Sequence, residues 1–239
     1  MNNEKPLISV ITVTYNAENY IAKCIKSVYN QTYPNIELII IDGGSTDSTI
    51  KILQENDEHI AYWKSEPDEG IYDAMNKGTK RANGEWLFFL GADDTLLEGF
   101  SEMANLLNDD KTIFYGQALC NNNPTTKIPY NAYRVASLNI CHQSIFYPKI
   151  VFKKYQYETK YKVRADQNLN IICFGDNNLK FKFYPIMVSI YDPRGFSSKT
   201  DDPLFLKDRQ KIIKKNLGIW TGIRYRLRIL RHKIKGKKS

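Results

Sequence analysis

LISVITVTYNAENYIAKCIKSVYNQTYPNIELIIIDGGS, residues 7–45, reads as strand, helix, strand. Its two ends, 7–14 and 36–42, are nearly continuous β-branched apolar runs. An apolar run without alternation suits a strand covered on both faces, as central parallel strands are. Between them Ile21, Ile25 and Val28 share one helical face, which predicts a helix over about Ala17–Asn30 with Asn16 as its cap. Outward from this unit the alternation repeats. Ser45 or Thr46 can cap a helix reaching about Gln54, and a third strand at 60–65 leads through a Pro-Asp-Glu-Gly turn into a helix from about Ile71 to Arg81. Gly84 then separates that helix from a strand at 85–91. This repeated order predicts an α/β fold with a doubly wound, Rossmann-like, mostly parallel sheet and helices on both faces.

Beyond residue 100 the pattern loosens. It predicts a helix near 98–107, a strand at 112–118, a polar loop at 121–131, a strand at 144–149 and a helix over 164–174. A last strand at 180–191 contains Pro185, which points to an edge or a bulge.

The net charge of +8 is not spread over the chain. Residues 207–239 hold 13 of the 34 Lys and Arg and one of the 26 acids, a local charge of +12; the remaining 21 basic and 25 acidic residues leave −4. A basic tail on a mildly acidic body fits docking on an anionic surface, and with no reading motif nucleic acid is not expected as a partner. Trp220, Ile223, Leu227, Leu230 and Ile234 form one helical stripe flanked by Arg224, Arg226, Arg228, Arg231, Lys233 and Lys235. That is the composition of an interfacial amphipathic helix, the alternative being a helix packed on the body. The expected organisation is therefore a domain over 1–206 and a basic docking tail over 207–239. No run of about 18 uncharged apolar residues and no signal-peptide pattern is present, so the expected location is cytoplasmic, peripheral on the inner face of the membrane. Cys24, Cys120, Cys141 and Cys173 are isolated in sequence and are expected to be reduced and buried.

In open α/β sheets ligands bind beyond the carboxyl ends of the strands. The chain has three Asp-Asp pairs, of which Asp109-Asp110 and Asp201-Asp202 lie in polar stretches and read as solvated turns. Asp93-Asp94 instead follows the apolar run WLFFL directly. Two carboxylates about 4 Å apart repel by roughly 4 kcal/mol at an effective dielectric of 20, a cost that a divalent cation removes. Oxygen ligands suit Mg²⁺ or Mn²⁺, with phosphate and water completing the shell; a plain acidic turn is the alternative. Asp42, ending its strand, suits a base or ribose contact, or a cap for the following helix. Neither GxGxxG nor GxxxxGK[ST] occurs.

Taken together, residues 5–100, from ISVITVTYNAENY through DGGSTDST and SEPDEGIYDAMNKGTKRANGEWLFFLGADD, resemble the family 2 glycosyltransferases, which have the GT-A fold. The resemblance implies an inverting transferase that moves a sugar from a UDP-sugar donor to a glycan or polyprenyl-phosphate-linked acceptor in surface-polysaccharide synthesis. It implies that Thr14, Tyr15 and Asp42 hold uracil and ribose, and that Asp73 and Lys77 lie near the nucleotide; a solvated helix face is the alternative for the last two. In the DxD motif the first carboxylate is replaced by Ala92, so Asp94 becomes the metal ligand and Asp93 a ribose partner. CHQSIFYPK and VRADQNLNI are similar to the acceptor half, where a Glu-Asp pair is replaced by Ala165-Asp166. The base role carries to Asp166 alone, with an ordinary helix-start Asp as the alternative. His142 either lines the sugar or metal site or is structural. A sugar-1-phosphate nucleotidyltransferase would need a Gly-rich, basic loop after the first strand, which TYNAENY lacks; a lectin-like, non-catalytic binder is the other rival.

Overall fold

The computed structural model describes residues 5–192 and 201–236, with side chains to 231. The nucleotide-sugar half expected from sequence forms as β1 (Ile8–Thr14), α1 (Ile21–Tyr29), β2 (Ile36–Asp42), α2 (Thr49–Glu55), β3 (Tyr62–Ser65), α3 (Ile71–Arg81) and β4 (Trp86–Gly91). It is followed by β5 (Thr95–Leu96), α4 (Gly99–Ala104), β6 (Thr112–Cys120), β7 (Asn123–Pro124), α5 (Ala132–Ser137), β8 (Ile145–Pro148), α6 (Ile150–Lys154), α7 (Ala165–Phe174) and β9 (Lys180–Ile190). Two helices close the chain, α8 (Pro203–Leu217) and α9 (Ile219–Gly236).

Among the described residues one sheet runs β3-β2-β1-β4-β8-β6-β9-β5, with β7 paired to the end of β6. The first four strands are parallel, and their register sets Thr14 opposite Asp42, Asp42 opposite Ser65 and Val13 opposite Gly91. The carboxyl ends of four strands therefore finish on one line. β8 runs antiparallel to β4 and β6, and β9 returns parallel to β6. The pairing of β6 with β9 slips between Tyr115↔Phe183 and Gln117↔Met187, which is the bulge expected at Pro185.

Successive strand residues feed opposite faces of the sheet. Val10, Ile40 and Phe88 pack with Ile21 and Ile25 of α1 and Phe100 of α4, whereas Ile11, Ile39 and Phe89 pack with Met75 of α3 and Leu169 of α7. This two-sided burial explains why the strands read as unbroken apolar runs.

Several expectations give way. α1 starts at Ile21, not Ala17: Asn16 takes a left-handed φ of 49°, and its side chain accepts from Thr46 N instead of capping a helix. Neither Ser45 nor Thr46 caps α2, because Ser45 bonds Asp42 and the helix begins only at Thr49. The short β5, α5 and α6 carry too few residues for a periodic signal. Asp202 is no solvated turn: it is buried, it caps α8 through Phe205 N, and it accepts from Val163 N and Arg164 N. The basic segment starts inside α8, whose Phe205 and Ile213 belong to the core. Of the cysteines, Cys24 and Cys173 are buried, whereas Cys120 and Cys141 are partly exposed.

Candidate active site

Three segments meet beyond the carboxyl ends of β1, β2 and β4. The loop after β2 is folded by Asp42, whose Oδ2 accepts from Gly44 N, Ser45 N and Ser65 Oγ at 3.0, 2.8 and 2.7 Å, and whose Oδ1 accepts from Ser45 Oγ. Asp42 is fully buried. It thus shapes the loop that edges the site and caps no helix. Gly44 has a φ of 85°, a conformation that glycine adopts without steric cost. Thr14, opposite Asp42 in the strand register, is buried with no partner for its hydroxyl among the described residues, and Tyr15 beside it stands exposed, its ring next to Gly43. A buried hydroxyl without a partner costs about 1–3 kcal/mol, so a ligand atom there would be bound at a gain.

Asp73 and Lys77 of α3 pair at 3.2 Å, and Lys77 also reaches Pro67 O at 3.0 Å and Glu66 at 3.4 Å. They hold the 66–69 loop, which carries Asp68 against Gly43: a Cβ on Gly43 would lie 2.6 Å from Asp68 Oδ2. Their effect on the site runs through this loop.

The carboxylate pair follows β4. Asp93 is exposed, whereas Asp94 is 2% exposed and accepts from Gln143 Nε2 at 2.8 Å, Gly91 N at 3.1 Å and Asp192 N at 3.0 Å. Both carboxylates fold over Gly91, where a Cβ would meet Asp94 Oδ2 at 2.5 Å and Asp93 Oδ1 at 2.9 Å, so a side chain here would push the carboxylates from these positions. Burial, with the Asp93 charge adding to it, pushes the Asp94 carboxyl up to about 6. The pair thus bears the repulsion that a hard divalent cation relieves, and its oxygens suit Mg²⁺ or Mn²⁺. Among the described residues no group of three or more His, Cys, Asp or Glu could hold a metal, so phosphate oxygens and water would have to complete the shell.

The first turn of α7 carries Asp166, buried and within reach of Tyr72, Gln167, Asn139 and His142. Oδ1 accepts from Gln167 N at 2.7 Å and shares the single proton of Tyr72 Oη, 3.0 Å away, with Val163 O at 2.8 Å from that hydroxyl, while Oδ2 accepts from Asn139 Nδ2 at 2.6 Å and lies 3.3 Å from His142 Nδ1. Burial pushes this carboxyl up, but the bond and charge of His142, with Asn139 and the Gln167 amide, more than offset it and hold the group below the usual range. Behind it Tyr147 Oη donates to Asn170 Oδ1 at 2.7 Å and Asn170 Nδ2 to Asn139 Oδ1 at 3.1 Å, a buried chain that fixes Asn139. His142 sits on a short 3-10 turn, His142–Ser144, whose next residue Gln143 bonds Asp94. That turn links the two carboxylate centres.

The structure therefore joins Asp94, Gln143, His142 and Asp166, and separately Thr14, Tyr15 and the Asp42 loop along the same strand ends. Sequence reasoning missed Gln143, Tyr72 and Asn139. Each is an ordinary polar residue whose importance comes from a distant partner, and no local spacing announces it.

A family model described as Glycosyl transferase family 2 matches residues 9–184. The chain is 34% identical over 216 residues to a PGL/p-HBAD biosynthesis glycosyltransferase of Mycobacterium bovis (strain BCG / Pasteur 1173P2), covering 84% of this chain and 83% of that protein. Over 97 residues it is 45% identical to TuaG of Bacillus subtilis (strain 168), assigned to teichuronic acid biosynthesis, covering 39% of this chain and 38% of that one. The fold matches that of S. aureus TarS 1–349, crystallised with UDP-GlcNAc, with a TM-score of 0.72 at 18% identity. That match covers 88% of this chain and 66% of TarS 1–349, so the chain spans just under two thirds of that structure's length.

Proposed function

The chain belongs to glycosyl transferase family 2 and is a glycosyltransferase, and from that premise we propose that it moves a sugar from a UDP-sugar, with inversion, to a hydroxyl of a glycan or polyprenyl-phosphate-linked acceptor in cell-surface polysaccharide synthesis. The observation that carries this reading is the Asp93-Asp94 pair folded over Gly91 at the end of β4, its buried member pushed up to about 6 first by burial and then by its neighbour. A site with that electrostatic cost suits a cation-bound diphosphate. The Thr14 hydroxyl, unpartnered among the described residues, and the open ring of Tyr15 support a nucleoside on the β1 side. The names of the relatives and the UDP-GlcNAc complex of the fold neighbour agree with donor and pathway class.

In this reading Thr14 and Tyr15 hold the nucleoside against the Gly43-Gly44 loop, and Asp93 faces the ribose. Asp94, with Asp93 beside it, would hold Mg²⁺ or Mn²⁺, which when bound supplies positive charge to the diphosphate as it leaves. The acceptor hydroxyl approaches from the side of α7 and loses its proton to Asp166, beside which His142 stands. Its oxygen attacks the anomeric carbon from the face opposite the leaving group, so one displacement inverts the configuration.

Peripheral docking on an anionic membrane, at the cytoplasmic face, completes the proposal. Among the described residues no helix is long and apolar enough to cross a membrane. α9 packs on the body through Gly222 and Tyr225, with Gln210 Nε2 donating to Gly222 O at 2.9 Å and Arg209 over the Tyr225 ring. The opposite face leaves Trp220 84% exposed and Ile223, Leu227 and Leu230 exposed beside Arg224, Arg226 and Arg231, while α8 adds exposed Lys207, Lys211, Lys214 and Lys215. The side chains of Lys233, Ile234 and Lys235 lie outside those described. An apolar stripe unused by the body and flanked by cations fits an interface helix.

The test is incubation of the full chain with UDP-GlcNAc, UDP-glucose and UDP-galactose, Mn²⁺ and lipid-linked acceptors, following UDP release and the anomeric configuration of the product by proton NMR. Metal-dependent UDP release with inversion is expected. Retention, or release from none of the donors, would overturn the reading.

A further inference from the structure

α5, Ala132–Ser137, has only six residues, and a helix that short has little stability of its own. Its place is set by what holds its ends. At the start, Asn131 Oδ1 caps it by accepting from Arg134 N at 3.0 Å. At the other end the carbonyls of the last turn have no partner within the helix, and that of the buried Ala136 is one of them. It accepts from two nitrogens of Arg209, Nη2 at 2.8 Å and Nε at 3.2 Å.

Arg209 stands on α8 one turn after Phe205, so the two share a face. Its guanidinium lies 5.6 Å from the centre of the Phe205 ring and 4.9 Å from that of Tyr225 on α9. Among the described residues its partners are the Ala136 carbonyl and these two rings, with no carboxylate among them. Burial lowers its pKa, Tyr225 partly offsets this, and the like charges of Arg164 and Arg228 lower it further. A half-buried cation with neutral partners is costly, so what it gains comes from the helices it joins.

Those helices lead to the acceptor side. Ala136 lies three residues before Asn139, whose Nδ2 donates to Asp166 Oδ2 at 2.6 Å. The backbone between them is held at three points: Ala136 O by Arg209, Leu138 N by Arg134 O at 2.7 Å, and Asn139 O by Tyr130 Oη at 2.9 Å. Of these holds, only that of Arg209 comes from outside residues 130–139. Val135 and Ala136 also pack in the core, but apolar packing is non-directional, whereas a forked donor fixes an orientation.

We propose that Arg209 is a positioning residue for the transfer: by locking the last turn of α5 to α8 and α9 it sets where Asn139 stands, and through Asn139 it orients the Asp166 carboxylate toward the acceptor hydroxyl. This rests on the reading above in which Asp166 takes the acceptor proton. A displacement of a reacting group by about 1 Å costs up to about 10²-fold in rate. The donor, held at the strand ends, is untouched by it.

The experiment uses full-length wild type, R209M, N139A and the double variant. Methionine keeps an apolar stem against Phe205 and Tyr225 while removing the donors. With UDP-GlcNAc, UDP-glucose and UDP-galactose, Mn²⁺ and lipid-linked acceptors, R209M and N139A are each expected to lower kcat about 10-fold, with donor affinity, read from thermal unfolding, unchanged. Because Arg209 acts through Asn139, the double variant should fall within about twofold of N139A, whereas two independent losses would multiply. In ¹⁵N spectra without donor, the side-chain amide signal that N139A deletes is expected to shift in R209M; a role confined to stability would leave it in place. Turnover of R209M or N139A within threefold of wild type, a double variant near the product of the two losses, donor affinity that falls with kcat, or an Asn139 signal unmoved in R209M would overturn the assignment. If R209M does not fold, R209K, which keeps stem and charge but not the fork, carries the same expectations. Absence of UDP release from the wild type would sink the donor reading, while the amide signal tests the link from Arg209 to Asn139 on its own.

Discussion

Asp94 is asked to be both buried and charged. Its folded-state carboxyl stands near 6, raised by burial and then by Asp93, against an ordinary value near 3.9. A carboxyl raised on folding favours the protonated fold. The stability it lends is complete below the unfolded value and is lost as pH rises through the folded one, here between about pH 4 and 6. For a shift of about two units the loss approaches about 3 kcal/mol. Metal-free wild type is therefore expected to lose stability relative to D94N across that window, as read by urea unfolding at pH 4.5 and 7.5; parallel pH dependence of the two proteins would contradict this. Metal affinity should conversely weaken below about pH 6, where the proton competes for the same oxygens. Asp93 and Asp94 stood out in the sequence because they directly follow an apolar strand, whereas Asp166 and His142 were named only through the family resemblance. Gln143, Tyr72 and Asn139 were not legible, because each matters only through a partner tens of residues away.

At the scale of the element, the entry into α7 decides where Asp166 stands. Asp202 holds that entry through Val163 N and Arg164 N while capping α8 at Phe205 N. An Asp-Asp pair in a polar stretch gives no hint of this, since the amides it satisfies come from a distant segment. D202A removes a cap, at about 1 kcal/mol, and leaves buried amides unsatisfied at about 1–3 kcal/mol, so a total loss of about 2–4 kcal/mol is expected in denaturant unfolding. It should also lower turnover with little effect on donor affinity, because the disturbance falls on the acceptor side. Unchanged stability would contradict this and show that water replaces all three bonds. The parallel strands were readable to within a residue or two because two-sided burial enforces continuous apolar runs. The starts of α1 and α2 were misread because Asn16 and Ser45 spend their side chains on bonds between the two loops and not on helix caps.

For the whole molecule, the charge asymmetry seen in sequence survives, but its boundary moves. α8 belongs to the core through Phe205 and Ile213, and the face offered outward comes from both closing helices. W220S and L227S alter side chains that the body does not use, so stability should change by about 0.5 kcal/mol or less while co-sedimentation with anionic vesicles falls several-fold. Binding unchanged in both variants, or indifferent to anionic lipid and salt, would remove the docking role. The central claim is a UDP-sugar held at the strand ends with its diphosphate against a cation on Asp94. Thermal unfolding of the full chain and of D94N with UDP-GlcNAc, UDP-glucose and UDP-galactose, each with and without Mn²⁺, tests it most directly. The account predicts that one donor at 100 times its dissociation constant stabilises the wild type by about 2.7 kcal/mol, that Mn²⁺ is needed for most of the gain, and that D94N loses this metal-dependent part. Stabilisation equal in both proteins and indifferent to Mn²⁺, or none with any of the three donors, would contradict it.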